Sequence, residues 1–192
     1  LSIETILPQY LPAFLSNLTA SPYFNRLIGP VRPPMEADLV EIFASIMAGT
    51  LLLCSDGSYC PHAGNGSHAW VFSTATGQIL LQGAGPIDCQ SNQLSSYRPE
   101  LGGITSLLYI LMTLTKTGDI TTGHVTLYCD NKSALENVFD STPKRGIYPL
   151  LAVDYDLLIL AKDLLRALPI KVSWAWVKGH YSGDNREIQH DL

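Results

Sequence analysis

The order of apolar segments after residue 50 most constrains the fold of this chain. Three short segments that are apolar or alternate in polarity follow one another at residues 51–59, 69–74 and 78–82, and residues 75–77 between the last two carry a hairpin signal. Long segments with helical spacing then alternate with two more strand-like segments. Three strands followed by alternating helices and strands predict an α/β domain with a mixed sheet and helices on its faces.

The elements after the hairpin have readable boundaries. Pro99 suits the first turn of a helix, where its missing N–H costs nothing. Gly102 and Gly103 each weaken that helix by about 1 kcal/mol relative to Ala, which favours a helix lying close on the sheet. The predicted elements are a helix from residue 98, a strand at 124–129, helices at 133–139 and 150–168, and a strand at 170–177. The predicted order is therefore βββαβααβ.

The first 49 residues have a different character. They are rich in proline, which interrupts regular structure, and only their last part, residues 35–47, shows helical spacing of apolar positions. We interpret residues 1–49 as an N-terminal Pro-rich and helical extension or connector, and residues 50–192 as the main domain. The final helix of that domain is expected to be truncated at Leu192.

Bulk properties exclude several classes of protein. A chain of 192 residues with 46% hydrophobic residues is long enough to bury a core. No run of about 18 apolar residues and no secretory signal is present, so we expect no membrane anchor and an intracellular location, in cytoplasm or nucleus. The net charge is -5, and the sequence contains no basic stripe. We therefore expect any nucleic acid to be bound weakly without help from a neighbouring domain.

Three carboxylates occupy positions where chemistry is plausible. Asp56 interrupts an apolar strand, where an unpaired buried charge would cost several kcal/mol and calls for a cation or a salt-bridge partner. Asp130 ends the fourth strand and could instead cap the next helix. Glu100 lies in a first helical turn, where the helix dipole alone would favour it. If the two strands are parallel neighbours, all three side chains can meet at one end of the sheet.

Four segments, taken in order, resemble ribonuclease H, particularly the form attached to retroviral and retrotransposon reverse transcriptases. They are Ser-Asp-Gly-Ser at 55–58, Tyr-Arg-Pro-Glu-Leu at 97–101, Cys-Asp-Asn-Lys-Ser-Ala at 129–134 and Trp-Ala-Trp-Val-Lys-Gly-His at 174–180. The resemblance covers about residues 50–192. It implies the ribonuclease H-like fold, a five-stranded mixed sheet in the order 3-2-1-4-5 flanked by helices.

The resemblance also implies site residues. The catalytic carboxylates, which are the metal ligands as well, would be Asp56, Glu100, Asp130 and Asp191. Asp191 lies eleven residues after His180, about one more than expected, so Asp184 and Glu187 stay open as alternatives. His180, in a polar glycine-rich turn, would assist product release or proton transfer as a fifth catalytic residue.

An oxygen-only set of ligands selects two Mg²⁺ ions, with Mn²⁺ as a substitute. The implied substrate is an RNA/DNA hybrid, and the implied neighbour is a reverse transcriptase polymerase domain. Asn65 is expected in the first hairpin loop, and Ser95, Ser96 and Tyr97 precede Glu100, where small polar residues can touch a minor groove. The candidate substrate-binding residues are Ser58, Asn65, Ser95, Ser96, Tyr97, Asn131 and Lys178.

The function that the sequence favours is that of an endoribonuclease that hydrolyses the RNA strand of RNA/DNA hybrids with two metal ions. The main alternative is a catalytically inactive ribonuclease H-like module that binds nucleic acid or acts as a scaffold. Another nuclease on the same fold, such as an exonuclease or a transposase core, is the third. The complete set of candidate carboxylates argues against the catalytically inactive module. Gly57 directly after Asp56, Glu100 on the first helix and the Lys-Gly-His turn argue against both an exonuclease and a transposase core.

Overall fold

The computed structural model describes residues 9–87, 95–140 and 154–179. Within these ranges the chain forms five strands and six helices. The strands are β1 (Leu51–Cys60), β2 (Asn65–Ser73), β3 (Ile79–Ile87), β4 (His124–Cys129) and β5 (Lys171–Trp176). The helices are α1 (Tyr10–Leu18), α2 (Pro22–Ile28), α3 (Glu36–Ala48), α4 (Tyr97–Thr117), α5 (Lys132–Phe139) and α6 (Tyr155–Ala167). None of the described helices is both long and apolar enough to cross a membrane.

The five strands form one mixed sheet in the order β3-β2-β1-β4-β5. β1 pairs antiparallel with β2, and β2 antiparallel with β3, whereas β4 runs parallel to both β1 and β5. The predicted fold class, order of elements and strand order are confirmed. Because β1 and β4 are parallel neighbours, their carboxyl ends lie at the same edge of the sheet.

Helix α4 packs directly on one face of the sheet, as the glycine pair predicted. A Cβ placed on Gly103 would lie 2.9 Å from Ser55 Cβ, and one on Gly102 would lie 3.0 Å from His68 Nδ1 and closer still to Ile87. The inner positions Leu101 and Ile104 are fully buried. The helix therefore approaches the sheet at a distance that only glycine permits at these two positions.

Strand β1 is buried on one face only, whereas the sequence placed Asp56 as a buried charge within an apolar strand. Leu51, Leu53 and Ser55 are buried beneath α4, whereas Cys54 and Asp56 on the other face are exposed. The reason is the alternation of a strand, which turns successive side chains to opposite faces. The argument that Asp56 needs a partner because it is buried is therefore wrong, although its position on the strand is as predicted.

The first part of the chain contributes to the same core. Phe14, Ile28 and Ile42 are fully buried in the hydrophobic cluster that also contains the side chains under α4. Prolines here start helices instead of preventing them, since Pro22 is the first residue of α2. The indole of Trp70 donates a hydrogen bond of 3.1 Å to the carbonyl of Ile28 and ties this segment to β2. The division near residue 50 stays a prediction.

Candidate metal centre

Three acidic side chains are positioned by the middle of β1, by the end of β4 and by the first turn of α4. Ser55 on β1 lies opposite Cys129 on β4 in the parallel register, so the next residues, Asp56 and Asp130, follow at the same end. Glu100 sits in the first turn of α4 above them and is only 7% exposed. The structure thus brings together the three carboxylates that the sequence indicated.

The closest part of this group contains sulfur as well as oxygen. Ligand atoms of Glu100, Cys129 and Asp130 all lie within 4.8 Å of one another. The Cys129 thiol donates to Glu100 Oε2 over 3.5 Å. Burial raises the pKa of this thiol to about 12, so it is protonated at neutral pH in the metal-free protein. Asp56 is exposed and forms the rim of the site.

Glu100 is held in an environment that disfavours its charge. Burial, followed by the negative charge of Asp130, raises the pKa of Glu100 to about 7, and the charge of Asp56 adds to the effect. The Cys129 thiol and the backbone N–H of Gly57 donate to the carboxylate and oppose it. Among the described residues, no Lys or Arg forms an ion pair with Glu100. A bound cation would relieve this cost.

Gly57 allows the helix and the strand to meet at this point. A Cβ on Gly57 would lie 2.6 Å from the backbone nitrogen of Glu100 and 2.8 Å from its carboxyl carbon. Real Cβ atoms do not approach so closely, so any larger residue must push Glu100 or α4 away. The Asp-Gly pair of the first motif therefore has a structural reason: the aspartate supplies a carboxylate, and the glycine makes room for the next one.

Asp130 is fixed by its neighbours and does not cap the helix that follows it. The N-cap of α5 is Asn131, whose side-chain oxygen accepts from Ala134 N over 3.0 Å. The indole of Trp176 donates to the Asp130 carbonyl over 2.8 Å. Gly179 lies so close that a Cβ there would overlap the Asp130 carboxylate. The Lys-Gly part of the fourth motif therefore packs against the second aspartate.

Arg98 anchors the start of α4. Its guanidinium contacts Asp156 through two bonds of 2.8 Å and Asp154 through one of 3.2 Å, which joins α4 to the start of α6. The hydrogen bond to Asp156 is the main cause of a raised pKa for Arg98, so the pair stays charged over the whole physiological range. The ion pair fixes the turn that carries Glu100, two residues further on.

The structure places the described candidate substrate residues as follows. Ser58 is exposed on the same face of β1 as Asp56, and Asn65 is the exposed first residue of β2, not part of the hairpin loop. Ser96 is exposed at the start of α4, Ser95 is half-buried, and the hydroxyl of Tyr97 accepts from Asn137 over 2.9 Å. The side-chain oxygen of Asn131 accepts the hydrogen bond that caps α5, and Lys178 is exposed. Their contacts with a substrate stay predictions.

Four predicted site residues lie outside the described residues: His180, Asp191, Asp184 and Glu187. The choice of the fourth carboxylate and the role of the histidine therefore stay predictions. Sequence reasoning missed Cys129. The sequence did contain a signal. Successive residues of a strand point to opposite faces, so Cys129 must point away from the face of the residues on either side of it, and here it points towards α4.

The ligand atoms that the described residues bring together fit a divalent cation. Carboxylate oxygens are the preferred ligands of Mg²⁺ and Mn²⁺, and the site holds two of them within 4.8 Å, with a third carboxylate at its rim. Burial, followed by the negative charges of Asp130 and Asp56, raises the pKa of Glu100, and a bound cation would offset both effects.

Comparisons with known proteins give a distant structural similarity. No protein-family model and no curated protein matches the chain. One similar solved structure is RNase H1 from the halophilic archaeon Halobacterium salinarum NRC-1, at 16% identity and a TM-score of 0.46, over 67% of this chain and 86% of that one. Another is the N-terminal RNase H domain of a Mycobacterium tuberculosis protein, fused to maltose-binding protein, at 17% identity and a TM-score of 0.44, over 67% and 82%. Because identity and TM-score are both low, the fold assignment rests on the strand order.

Proposed function

We propose that this chain is a metal-dependent endoribonuclease of the ribonuclease H type, which hydrolyses the RNA strand of an RNA/DNA hybrid. The observation that carries the proposal is the meeting of Glu100 and Asp130, from α4 and the end of β4, with Asp56 at the rim. The four sequence segments that resemble ribonuclease H supply these same residues in the same order.

The metal set of the proposal is two Mg²⁺ ions, held by Asp56, Glu100, Asp130 and a fourth carboxylate, for which Asp191 is the first candidate. Such ions, when bound, supply an activated water and stabilise the leaving 3′ oxygen. The buried Glu100 and the half-buried Asp130 would hold the ions together with the exposed Asp56. Cleavage then leaves 5′-phosphate and 3′-hydroxyl ends.

The chain's own residues orient the reaction in two ways. Gly57 donates its N–H to Glu100 and lets the helix come close, so the carboxylate is held where the strand ends. Arg98 fixes the same helical turn through its ion pairs. Because Glu100 titrates near neutral pH, binding of a cation there releases a proton, and affinity for the cation falls as the pH is lowered.

The exposed polar residues around the centre suit contacts with a hybrid. Ser58 lies two residues beyond Asp56 on the same face of β1, and Lys178 precedes the glycine that touches Asp130. A hydroxyl can contact RNA 2′-hydroxyls, and a lysine can contact phosphate. We further propose that the domain works inside the cell beside a reverse transcriptase polymerase domain, which would supply the phosphate contacts that a net charge of -5 does not.

One assay tests the proposal. End-labelled RNA/DNA hybrid, RNA duplex and single-stranded RNA are incubated with the protein in Mg²⁺ or in chelator. We expect cleavage of the RNA strand of the hybrid alone, only with Mg²⁺, and a fall of at least about 100-fold in Asp130→Asn because a ligand is lost. Asp163→Asn, which changes an exposed aspartate on α6, serves as the matched control.

Cleavage that survives in Asp130→Asn, or that prefers single-stranded RNA, would contradict the proposal. Tight binding of the hybrid without any cleavage in Mg²⁺ or Mn²⁺ would favour the inactive binding module instead.

A further inference from the structure

A buried thiol lies inside a site that does not need one. Cys129 is the last residue of β4, is fully buried, and has its Sγ 3.5 Å from Glu100 Oε2. Mg²⁺ and Mn²⁺ are hard cations that take oxygen ligands, so sulfur contributes nothing to their binding. Thiolate sulfur is instead a preferred ligand of softer cations such as Zn²⁺.

The spacing of the ligand atoms fits such a cation. Zn–S bonds of about 2.3 Å and Zn–O bonds of about 2.1 Å at a tetrahedral angle separate the sulfur and oxygen by about 3.6 Å. The observed distance from Cys129 Sγ to Glu100 Oε2 is 3.5 Å. Asp130 offers a third ligand atom within 4.8 Å of both.

An independent feature beside the thiol points to the same use. Ser55 is only 4% exposed, and its hydroxyl makes no hydrogen bond of ordinary length among the described residues, although it acts as a donor on the Cys129 sulfur and lowers the pKa of that thiol. It lies opposite Cys129 in the β1–β4 register, on the face covered by α4, 3.4 Å from where a Cβ on Gly103 would be. A buried hydroxyl without a hydrogen bond of ordinary length is costly, and a neighbouring thiolate would accept its proton in a hydrogen bond.

We propose that Cys129, Glu100 and Asp130 form a binding site for a soft divalent cation, Zn²⁺ or Cd²⁺, which withdraws Glu100 from the Mg²⁺ ions and so inhibits the enzyme. On binding, the thiol proton leaves to solvent and a metal–sulfur bond forms, since a coordinating thiol is deprotonated. The Ser55 hydroxyl then donates to the bound sulfur. The inhibition rests on the proposed function, whereas the binding does not.

Binding is tested with Cd²⁺ alone on the metal-free full chain. Thiolate coordination gives an ultraviolet charge-transfer band, which we expect to saturate at one Cd²⁺ per chain. The band should be lost in Cys129→Ser and kept in the triple variant Cys54→Ser, Cys60→Ser, Cys89→Ser, in which Cys129 is the remaining cysteine. Ser55→Ala should weaken Cd²⁺ binding by about 10-fold, as loss of an outer hydrogen bond does.

Two outcomes would overturn the site. One is a band that persists in Cys129→Ser, and the other is a folded triple variant, judged by circular dichroism, that shows no band. The triple variant decides the question even if Cys129→Ser does not fold, because it leaves the buried thiol unchanged.

Inhibition is tested separately, in the hybrid-cleavage assay with Mg²⁺ and increasing Zn²⁺. Each variant is compared with its own activity without Zn²⁺, and the half-inhibiting concentration should rise at least about 10-fold in Cys129→Ser. Equal inhibition of both proteins contradicts the inhibitory role. A protein that cleaves nothing in Mg²⁺ but shows the Cd²⁺ band contradicts the proposed function and leaves the cation site standing.

Discussion

The candidate metal centre and the packed N-terminal segment both depend on a glycine that allows a helix to approach the sheet closely, with different consequences. At the centre, Gly57 lets α4 approach β1 so closely that Glu100 is pressed against other carboxylates. At the β3 edge of the same face of the sheet, Gly85 lets Leu27 approach β3 even more closely, and apolar side chains and the hydrogen-bonded Trp70 indole are buried there. One approach creates an electrostatic cost and the other contributes stability. Variants should therefore separate into those that affect chemistry and those that affect folding.

The largest effect on folding is expected from Phe14→Ala in α1. Phe14 is fully buried, and removal of a buried aromatic side chain leaves a cavity that lowers the free energy of unfolding by about 3–5 kcal/mol. Chemical denaturation measures the change. Val40→Ala, at an exposed position of α3, is the control and should change the free energy of unfolding by less than about 0.5 kcal/mol.

Activity per folded molecule should stay unchanged in Phe14→Ala at a temperature where the variant is folded. A loss of cleavage without a loss of stability would mean that the N-terminal segment belongs to the active site, and the contrast between the two regions would fail.

Gly57→Ala is expected to lower the cleavage activity more than the stability of the fold. Its new Cβ would overlap Glu100, and displacement of a ligand by about 1 Å lowers cleavage by about 100-fold. The matched control is Gly77→Ala in the β2–β3 turn, where φ is +86° and no atom lies within 4 Å of a Cβ. That change strains the backbone by about 1–2 kcal/mol and leaves the centre intact. If Gly57→Ala cleaves the hybrid at the wild-type rate, cleavage does not require the close approach of Glu100 to β1.

A smaller effect concerns pH. Because the folded-state pKa of Glu100 is raised to about 7, its stabilising contribution in the metal-free protein is complete at low pH. It is lost as the pH rises from the unfolded value through about 7. His68, buried and with its pKa lowered to about 4 mainly by burial, acts in the opposite direction at lower pH.

Denaturation in chelator across this range, on wild type and Glu100→Gln, isolates the glutamate. The variant should gain stability relative to wild type as the pH rises. A difference that is constant with pH would show that Glu100 keeps an ordinary pKa.

Much of the fold was predictable because it depends on local patterns. The alternation of strand and helix periods predicts the order of elements, and the parallel pairing of β1 with β4 agrees with two antiparallel strands followed by the α4 crossover between them. The positions of Asp56 within the first strand, of Asp130 at the end of the fourth and of Glu100 in a first helical turn follow in turn.

What was not predictable depends on contacts between distant segments. The exposure of Asp56 depends on which face of β1 is covered. The helices within the first 35 residues were not predicted because this segment is rich in proline, and they pack against α4 and β3. The burial of His68, bonded to Ser106 over 2.9 Å, and the thiol–carboxylate contact of Cys129 are likewise tertiary. The alternation of a strand indicates that Cys129 and Asp130 point to opposite faces, but the partners of Cys129 and His68 depend on which segments the fold brings together.

The central claim is that Glu100 and Asp130, with Asp56, form a centre for divalent cations. Electron paramagnetic resonance of free Mn²⁺ measures this without any substrate, in wild type, in Glu100→Gln and in the control Glu136→Gln, an exposed position of α5. We predict Mn²⁺ binding by wild type and by Glu136→Gln, weakened at least about 10-fold in Glu100→Gln. Equal Mn²⁺ binding by all three proteins, or none by wild type, would contradict the account.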